Sequence, residues 1–251
     1  DQLEVYYQPI VTLSDGRPAG FEALVRWNHP ERGLITPDRF IPLAEETGLI
    51  IPLGARVLRE ACNQLAHWDS TLILGIRPTM SINCSKRQLL DSGFVTLLKD
   101  VLHSSGLEAH RITLEITETA VMDHPIDIAQ IMSEVRRLGV KLSMDDFGTG
   151  HSSLSCLHRF PITSVKMDQS FVRRMNRDKT FAALAQTIAD LGLNLGLDVV
   201  AEGIEEPLQQ KRLKAMGCRY GQGYLFARPM NADQATEYLN NNNGNELRLA
   251  A

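Results

Sequence analysis

Val140-Lys141-Leu142-Ser143-Met144-Asp145-Asp146-Phe147-Gly148-Thr149-Gly150 is the stretch that decides the fold. Val140–Met144 is a short apolar run of strand type, and it exits onto two adjacent carboxylates and a glycine-rich turn. Just before it, residues 126–138 have helical spacing and Gly139 stops that helix. Helix, stop, strand and polar exit form one unit, and the unit recurs in both directions. Upstream strands are expected at 3–10, where Pro9 should end the run, and at 19–26, 80–83 and 111–116. Downstream they are expected at 162–167, 195–201 and 224–226. Helices fall between them. Pro37 and Pro52 sit at helix starts, Gly48 stops the first of these, and Leu53, Val57, Leu58, Ala61 and Leu65 stripe the second. Ser85 and Gln88 make a capping box, Gly192 stops a helix over 181–191, Gly217 follows one over 208–216, and Asn231 caps a last one through Leu239.

Strand and helix alternate along the whole chain with no linker, which predicts a parallel sheet covered by helices. The 251 residues suit one β/α barrel. The rival is an open doubly wound sheet, but no Gly-x-Gly-x-x-Gly follows the early strands. The domain is expected over 1–240, with 241–251 a polar, flexible tail without function.

The strand exits carry the chemistry. Glu22, Asn83, Glu115, Asp145, Asp146, Lys166, Glu202 and Gln222 lie in or just after successive strands. Any one of them alone is best explained as a solvated loop residue. Solvation gives no reason for the set to recur at the same place in successive units, whereas a β/α barrel turns all its exits to the end that holds the active site. Crowding is costly: two carboxylates about 4 Å apart repel by about 4 kcal/mol at an effective dielectric near 20. Carboxylates with an amide oxygen form a hard donor set that suits Mg²⁺ or Mn²⁺ rather than zinc or copper. Adjacent Asp145 and Asp146 reach two ions, the arrangement that clamps both oxygens of an in-line phosphoryl displacement. The small residues of the 146–153 loop permit unusual backbone angles, although an ordinary glycine-rich turn with two solvated aspartates reads as well from that loop alone.

Bulk properties narrow the class. Hydrophobic content is 43%, charged content 22% and net charge −4, so the chain buries a core and lacks the basic footprint of a protein that binds long nucleic acid. Cys62, Cys84, Cys156 and Cys218 form no C-x-x-C pair, which argues against a disulfide framework or zinc site and for a reducing, cytoplasmic setting. No apolar run reaches spanning length, and no signal peptide is expected. The chain opens at Asp1 and reads as a piece of a longer protein. His29, His67, His103, His110, His124 and His158 lack metal-ligand spacing, and Trp27 reads as packing near the barrel mouth.

Glu22-Ala23-Leu24-Val25-Arg26-Trp27 resembles the motif that names the EAL family of cyclic di-GMP phosphodiesterases. The resemblance continues in order through Tyr7-Gln8-Pro9-Ile10, Asn83-Cys84-Ser85, Glu115-Ile116-Thr117-Glu118, Asp145 to Gly150, Val165-Lys166-Met167-Asp168, Ala201-Glu202-Gly203-Ile204-Glu205 and Gly221-Gln222-Gly223-Tyr224. It implies a modified (β/α)8 barrel whose first strand runs against the rest. It also implies hydrolysis of cyclic di-GMP to the linear dinucleotide with Mg²⁺ or Mn²⁺, through two ions. By resemblance Glu22, Asn83, Glu115 and Asp145 are metal ligands and Asp146 serves the second ion. Lys166 orients and polarises the attacking water, and Glu202 is the general base or a metal-linked carboxylate. Gln8, Arg26, Asp168 and Gln222 are substrate-side residues, with Gln222 and Glu205 supporting the site. Glu118 anchors the 146–153 loop, which the family associates with dimerisation and regulation. A homodimer and an upstream sensory or regulatory domain are therefore expected partners. His151 and Cys156 stand where the family often has Tyr, and they remove no ligand.

Two other classes remain open at this level. A receptor would bind cyclic di-GMP without cleaving it, and the intact ligand set weighs against that. A barrel-strand lysine that forms a Schiff base would need a reactive amine, and the surrounding carboxylates keep it as ammonium.

Overall fold

The computed structural model describes residues 2–72, 75, 77–122, 125–149 and 159–242. Its nine strands are β1 (Leu3–Thr12), β2 (Pro18–His29), β3 (Gly33–Ile35), β4 (Thr79–Asn83), β5 (Ile112–Thr117), β6 (Lys141–Phe147), β7 (Ser164–Met167), β8 (Asp198–Ala201) and β9 (Tyr220–Gly221). The sheet order is β1-β9-β8-β7-β6-β5-β4-β2-β3, and β1 also pairs with β2. Eight strands therefore close a barrel, and β3 lies outside the ring on β2. From β2 round to β9 every neighbouring pair in the ring is parallel, whereas β1 is antiparallel to both β2 and β9.

Pro9 does not end β1. Tyr7, two residues earlier, turns its N–H and C=O away from β2 to Met230 (2.7 and 3.1 Å). Strand side alternates with period two, so the N–H that Pro9 lacks falls on that same outer side and the β1–β2 ladder loses no rung.

The helices are α1 (Pro37–Thr47), α2 (Ile50–Thr71), α3 (Lys86–Leu89), α4 (Phe94–Ser105), α5 (Glu118–Met122), α6 (Pro125–Arg137), α7 (Gln169–Arg174), α8 (Lys179–Leu195), α9 (Pro207–Ala215) and α10 (Ala232–Asn242). Gly48 ends α1 in the left-handed region at φ 82°, and the Ser85–Gln88 capping box opens α3. Asn231 and Gln234 exchange side-chain to backbone hydrogen bonds at the start of α10. On α2, Val57, Leu58, Ala61, Cys62, Leu65 and Trp68 are buried against the barrel. Truncating such a leucine costs about 2–5 kcal/mol. Trp68 lies 5.4 Å from Tyr7 and 4.9 Å from Phe21, and its indole N–H donates to Thr236 Oγ1 of α10 at 2.8 Å. The last helix thereby seals the outside of β1 and β2.

Two further expectations are corrected. Gly192 does not stop α8, which continues to Leu195 and ends at Gly196 with φ 67°. Gly192 is there for packing, since a Cβ on it would lie 2.2 Å from Val199 Cγ2. The longer helix delays β8 to Asp198. Residues 224–226 form a turn, and the closing strand is Tyr220–Gly221. The reason is the close approach of Gly223 to Ile204: Leu225 N–H bonds Ile204 O at 2.9 Å, which folds the segment over instead of extending it.

At the end of the barrel where the parallel strands begin, Arg111 is buried between elements. Its guanidinium donates twice to Pro78 O, at 3.1 and 2.7 Å, and pairs with Asp69. Among the described residues no helix is long and apolar enough to cross a membrane.

Candidate active site

The opposite end of the barrel gathers the strand-exit residues. Lys166, on β7, is 1% exposed, and its ammonium reaches four carboxylates. Nζ lies 2.6 Å from Glu202 Oε1, 2.8 Å from Glu115 Oε2, 3.3 Å from Glu22 Oε2 and 3.4 Å from Asp145 Oδ1. These acids come from β5, β2, β6 and the exit of β8, so barrel closure assembles the cage.

Amides hold the cage from the other side. Gln8 and Glu22 are direct cross-strand partners on β1 and β2, which puts their side chains on one face. Gln222 Nε2 donates to Gln8 Oε1 at 2.9 Å and to Glu22 Oε2 at 2.7 Å. Asn83 Nδ2 donates to Glu22 Oε1 at 2.7 Å, and Gln8 Nε2 donates to Ala227 O at 3.2 Å.

One ammonium does not balance four carboxylates, and protonation shows the imbalance. Burial pushes Glu115 well up, and Glu22 and Asp145 push it further despite Lys166. Burial also lifts Glu202, to about 7. Glu22 is pushed up by burial too, but Lys166 and the Gln222 and Asn83 bonds outweigh this and hold it below the usual carboxylate range. Burial alone would lower Lys166, but Asp145, Glu115, Glu202 and Glu22 together drive it well above an ordinary lysine. Beside the cage, Asp145, Asp146 and Glu202 bring donor oxygens within 4.8 Å of one another. Burial and then Asp145 raise Asp146, which sits at φ 53°, the one non-glycine residue in the left-handed region among the described residues. Strain of this kind aims a side chain at the cost of backbone energy. Hard oxygen donors, carboxylates raised by mutual repulsion and a net negative cage fit a divalent hard cation.

The cage opens into a cavity of about 280 Å³, walled by Glu22, Asp145, Lys166, Glu202 and Gln222. Leu24 also lines an adjoining apolar groove of about 560 Å³ between α1, α2 and the strand ends, whose wall includes Asn83 and Glu115.

Other expected residues are placed differently. Arg26 turns its guanidinium to Val25 O at 2.9 Å and stands 5.8 Å from the Tyr6 ring, outside the cavity lining. Asp168 caps α7, accepting from Ser170 N–H at 3.0 Å. Glu118 is buried as the first residue of α5. Trp27 packs edge-on against Phe40 and His29, as expected for a mouth residue. Residues 150–153 of the loop, with His151, and Cys156 lie outside the described residues. Sequence reasoning missed Arg173, which lines the cavity from α7 and pairs with Glu205 at 3.2 Å. The available signal was its place five residues beyond a strand-exit aspartate.

Residues 1–229 match the family model described as the EAL domain. The chain is 41% identical over 239 residues to the oxygen sensor protein DosP of Escherichia coli, covering 95% of this chain and 30% of that protein. It is 42% identical over 234 residues to the bifunctional diguanylate cyclase/cyclic di-GMP phosphodiesterase MucR of Pseudomonas aeruginosa, covering 93% of this chain and 34% of that protein. The chain thus spans about a third of the length of these curated relatives. A solved structure titled as the PaMucR phosphodiesterase in complex with c-di-GMP superposes with TM-score 0.88 at 41% identity, over 93% of this chain and 94% of that one.

Proposed function

The chain belongs to the EAL domain family, and from that premise we propose that it is a metal-dependent phosphodiesterase that opens cyclic di-GMP to the linear dinucleotide 5′-pGpG. The observation that carries this reading is the buried Lys166 ammonium within 3.4 Å of four carboxylates at the barrel's exit end. A structural ion pair needs one partner, and a surplus of acid has a use only where further positive charge arrives.

Asp145, Asp146 and Glu202, with Glu22, Asn83 and Glu115, are the residues to hold Mg²⁺ or Mn²⁺, two ions in our reading. When bound, the ions supply positive charge to the phosphoryl oxygens and the departing 3′ oxygen. Lys166 orients and polarises the attacking water. Glu202 serves as the general base that accepts a proton from that water or as a metal-linked carboxylate beside it. Gln222 and Asn83 fix both oxygens of Glu22, so the carboxylate cannot rotate out of the cage. The acidic cavity takes the scissile phosphate, and the adjoining apolar groove accommodates a base. Supporting this division, the combined space falls in the range of small-molecule sites.

The same reading extends to the surroundings. The domain works in the cytoplasm, as a homodimer, joined to a sensory or regulatory region. Support for the last point comes from relatives about three times as long. The test is hydrolysis of cyclic di-GMP by the purified chain with Mg²⁺, with Mn²⁺ and with chelator, resolved by chromatography. Linear dinucleotide that needs metal is the expected result. Ligand bound with no product under any metal would make the chain a receptor instead.

A further inference from the structure

We propose that Arg173 is a specificity-determining residue that binds the second, uncleaved phosphate of the substrate, and that Glu205 competes with that phosphate for the guanidinium; the inference rests on the phosphodiesterase reading and deepens it. A cyclic dinucleotide carries two phosphodiester charges, and the acidic cage with its ions engages one of them. The other needs a cation on the same cavity. Lys166 is held among the four carboxylates of the cage, where it serves the attacking water, and is 1% exposed, so it does not reach a second phosphate. Of the two cations that line the cavity among the described residues, this leaves Arg173, whose side chain is 53% exposed. Among the described residues its guanidinium meets one carboxylate, Nη2 to Glu205 Oε1 at 3.2 Å, and a guanidinium has five N–H donors in a fork that matches a phosphate.

The position of the pair is built into the fold. Gln209, 3% exposed, accepts from Glu205 N–H at 2.8 Å and Glu206 N–H at 2.9 Å and donates to Val172 O at 3.2 Å. The residue next to Arg173 and the backbone of Glu205 are thus tied through one buried amide. Gly203 brings the β8 exit hard against α7, where a Cβ would lie 2.5 Å from Gln169 Cβ. An ordinary surface ion pair is free to drift, but here both backbones are fixed at the cavity rim.

Opposite signs make the test. Affinity for cyclic di-GMP is measured by calorimetry in chelator, where no turnover occurs, and KM and kcat are measured with metal. Arg173→Ala is expected to weaken affinity and raise KM about tenfold or more, with the larger change in KM. Glu205→Gln frees the guanidinium and removes a repelling carboxylate, so affinity is expected to rise about threefold to tenfold. A pair that serves only to hold the rim together would lose affinity in both variants, and that result overturns the proposal, as does no change in either. Wild-type chain that binds without cleaving overturns the enzyme reading alone and leaves the affinity comparison to decide this one. Wild-type chain that neither binds nor cleaves overturns both.

Discussion

Each end of the barrel buries a cation, and the two are used in opposite ways. Arg111, at the end where strands begin, is 3% exposed and meets one carboxylate, Asp69, and one carbonyl, Pro78 O. Its charge is matched by one carboxylate and each of its three nitrogens bonds Asp69 or Pro78 O, which ties α2 to the starts of β4 and β5. Lys166, at the end where strands finish, is 1% exposed and meets four carboxylates. Its surroundings are over-supplied with negative charge. Balance at one end serves stability and imbalance at the other serves chemistry, because only an unbalanced cage gains from a cation.

The sharpest break between the ends comes from removing each cation. Lys166→Ala is expected to lower turnover of cyclic di-GMP by about 10⁴-fold, since charge stabilisation and water orientation are lost together. Circular dichroism should still report a folded barrel in Mg²⁺. Normal turnover would mean that the cage is not the reaction centre. Arg111→Ala is expected to lower unfolding free energy by about 3–5 kcal/mol by stranding Asp69, with kcat per folded molecule unchanged. Urea titration reads the first quantity, and a fall in kcat at full folding would erase the distinction.

A smaller effect sharpens the electrostatic side. Glu202 stands at about 7 in the folded protein, above the 4.3 or so of an unfolded chain. The folded state keeps a proton that the unfolded chain has released, so this contribution to stability is complete at low pH and is lost as pH rises towards 7. Divalent cations bind the deprotonated form. Mg²⁺ should therefore raise Tm more at pH 8 than at pH 5.5, by several degrees at saturation, as differential scanning fluorimetry would show. An equal gain at both pH values would place the ion away from Glu202. Smallest of all, Asn231→Ala should cost about 1 kcal/mol by uncapping α10, with no effect on kcat, since the body of that helix packs through Thr236 on Trp68, outside the barrel.

The sequence was most informative where physics acts locally. Capping at Ser85 and Asn231, the left-handed stop at Gly48 and the polar exits of β5, β6 and β7 all follow from neighbours in the chain. It was least informative where a distant segment decides. Gly192 looks like a helix stop, yet it is glycine because Val199 lies against it. Tyr224–Phe226 has strand composition, yet Ile204 captures its backbone. The reversed direction of β1 came from resemblance and not from pattern, since alternation of side chains is the same in either direction. Arg173 escaped notice because nothing in a helical arginine announces a cavity across from Glu205.

The barrel closes through a short seam. β1 and β9 share two rungs, Val11 with Gly221 and Thr12 with Tyr220, supplemented by the Tyr7–Met230 bridge. These contacts join residues more than two hundred positions apart, so they carry the highest loop-closure cost in the molecule. In a chain emerging from a ribosome at about 5–20 residues per second, β2 to β8 are all out roughly 1–4 s before the residues of the seam follow. Gln222 lies just past that seam and supplies the bonds that hold Gln8 and Glu22. The cage is therefore among the last features to mature during biosynthesis, and a nascent or truncated barrel carries its acids without the clamp that organises them.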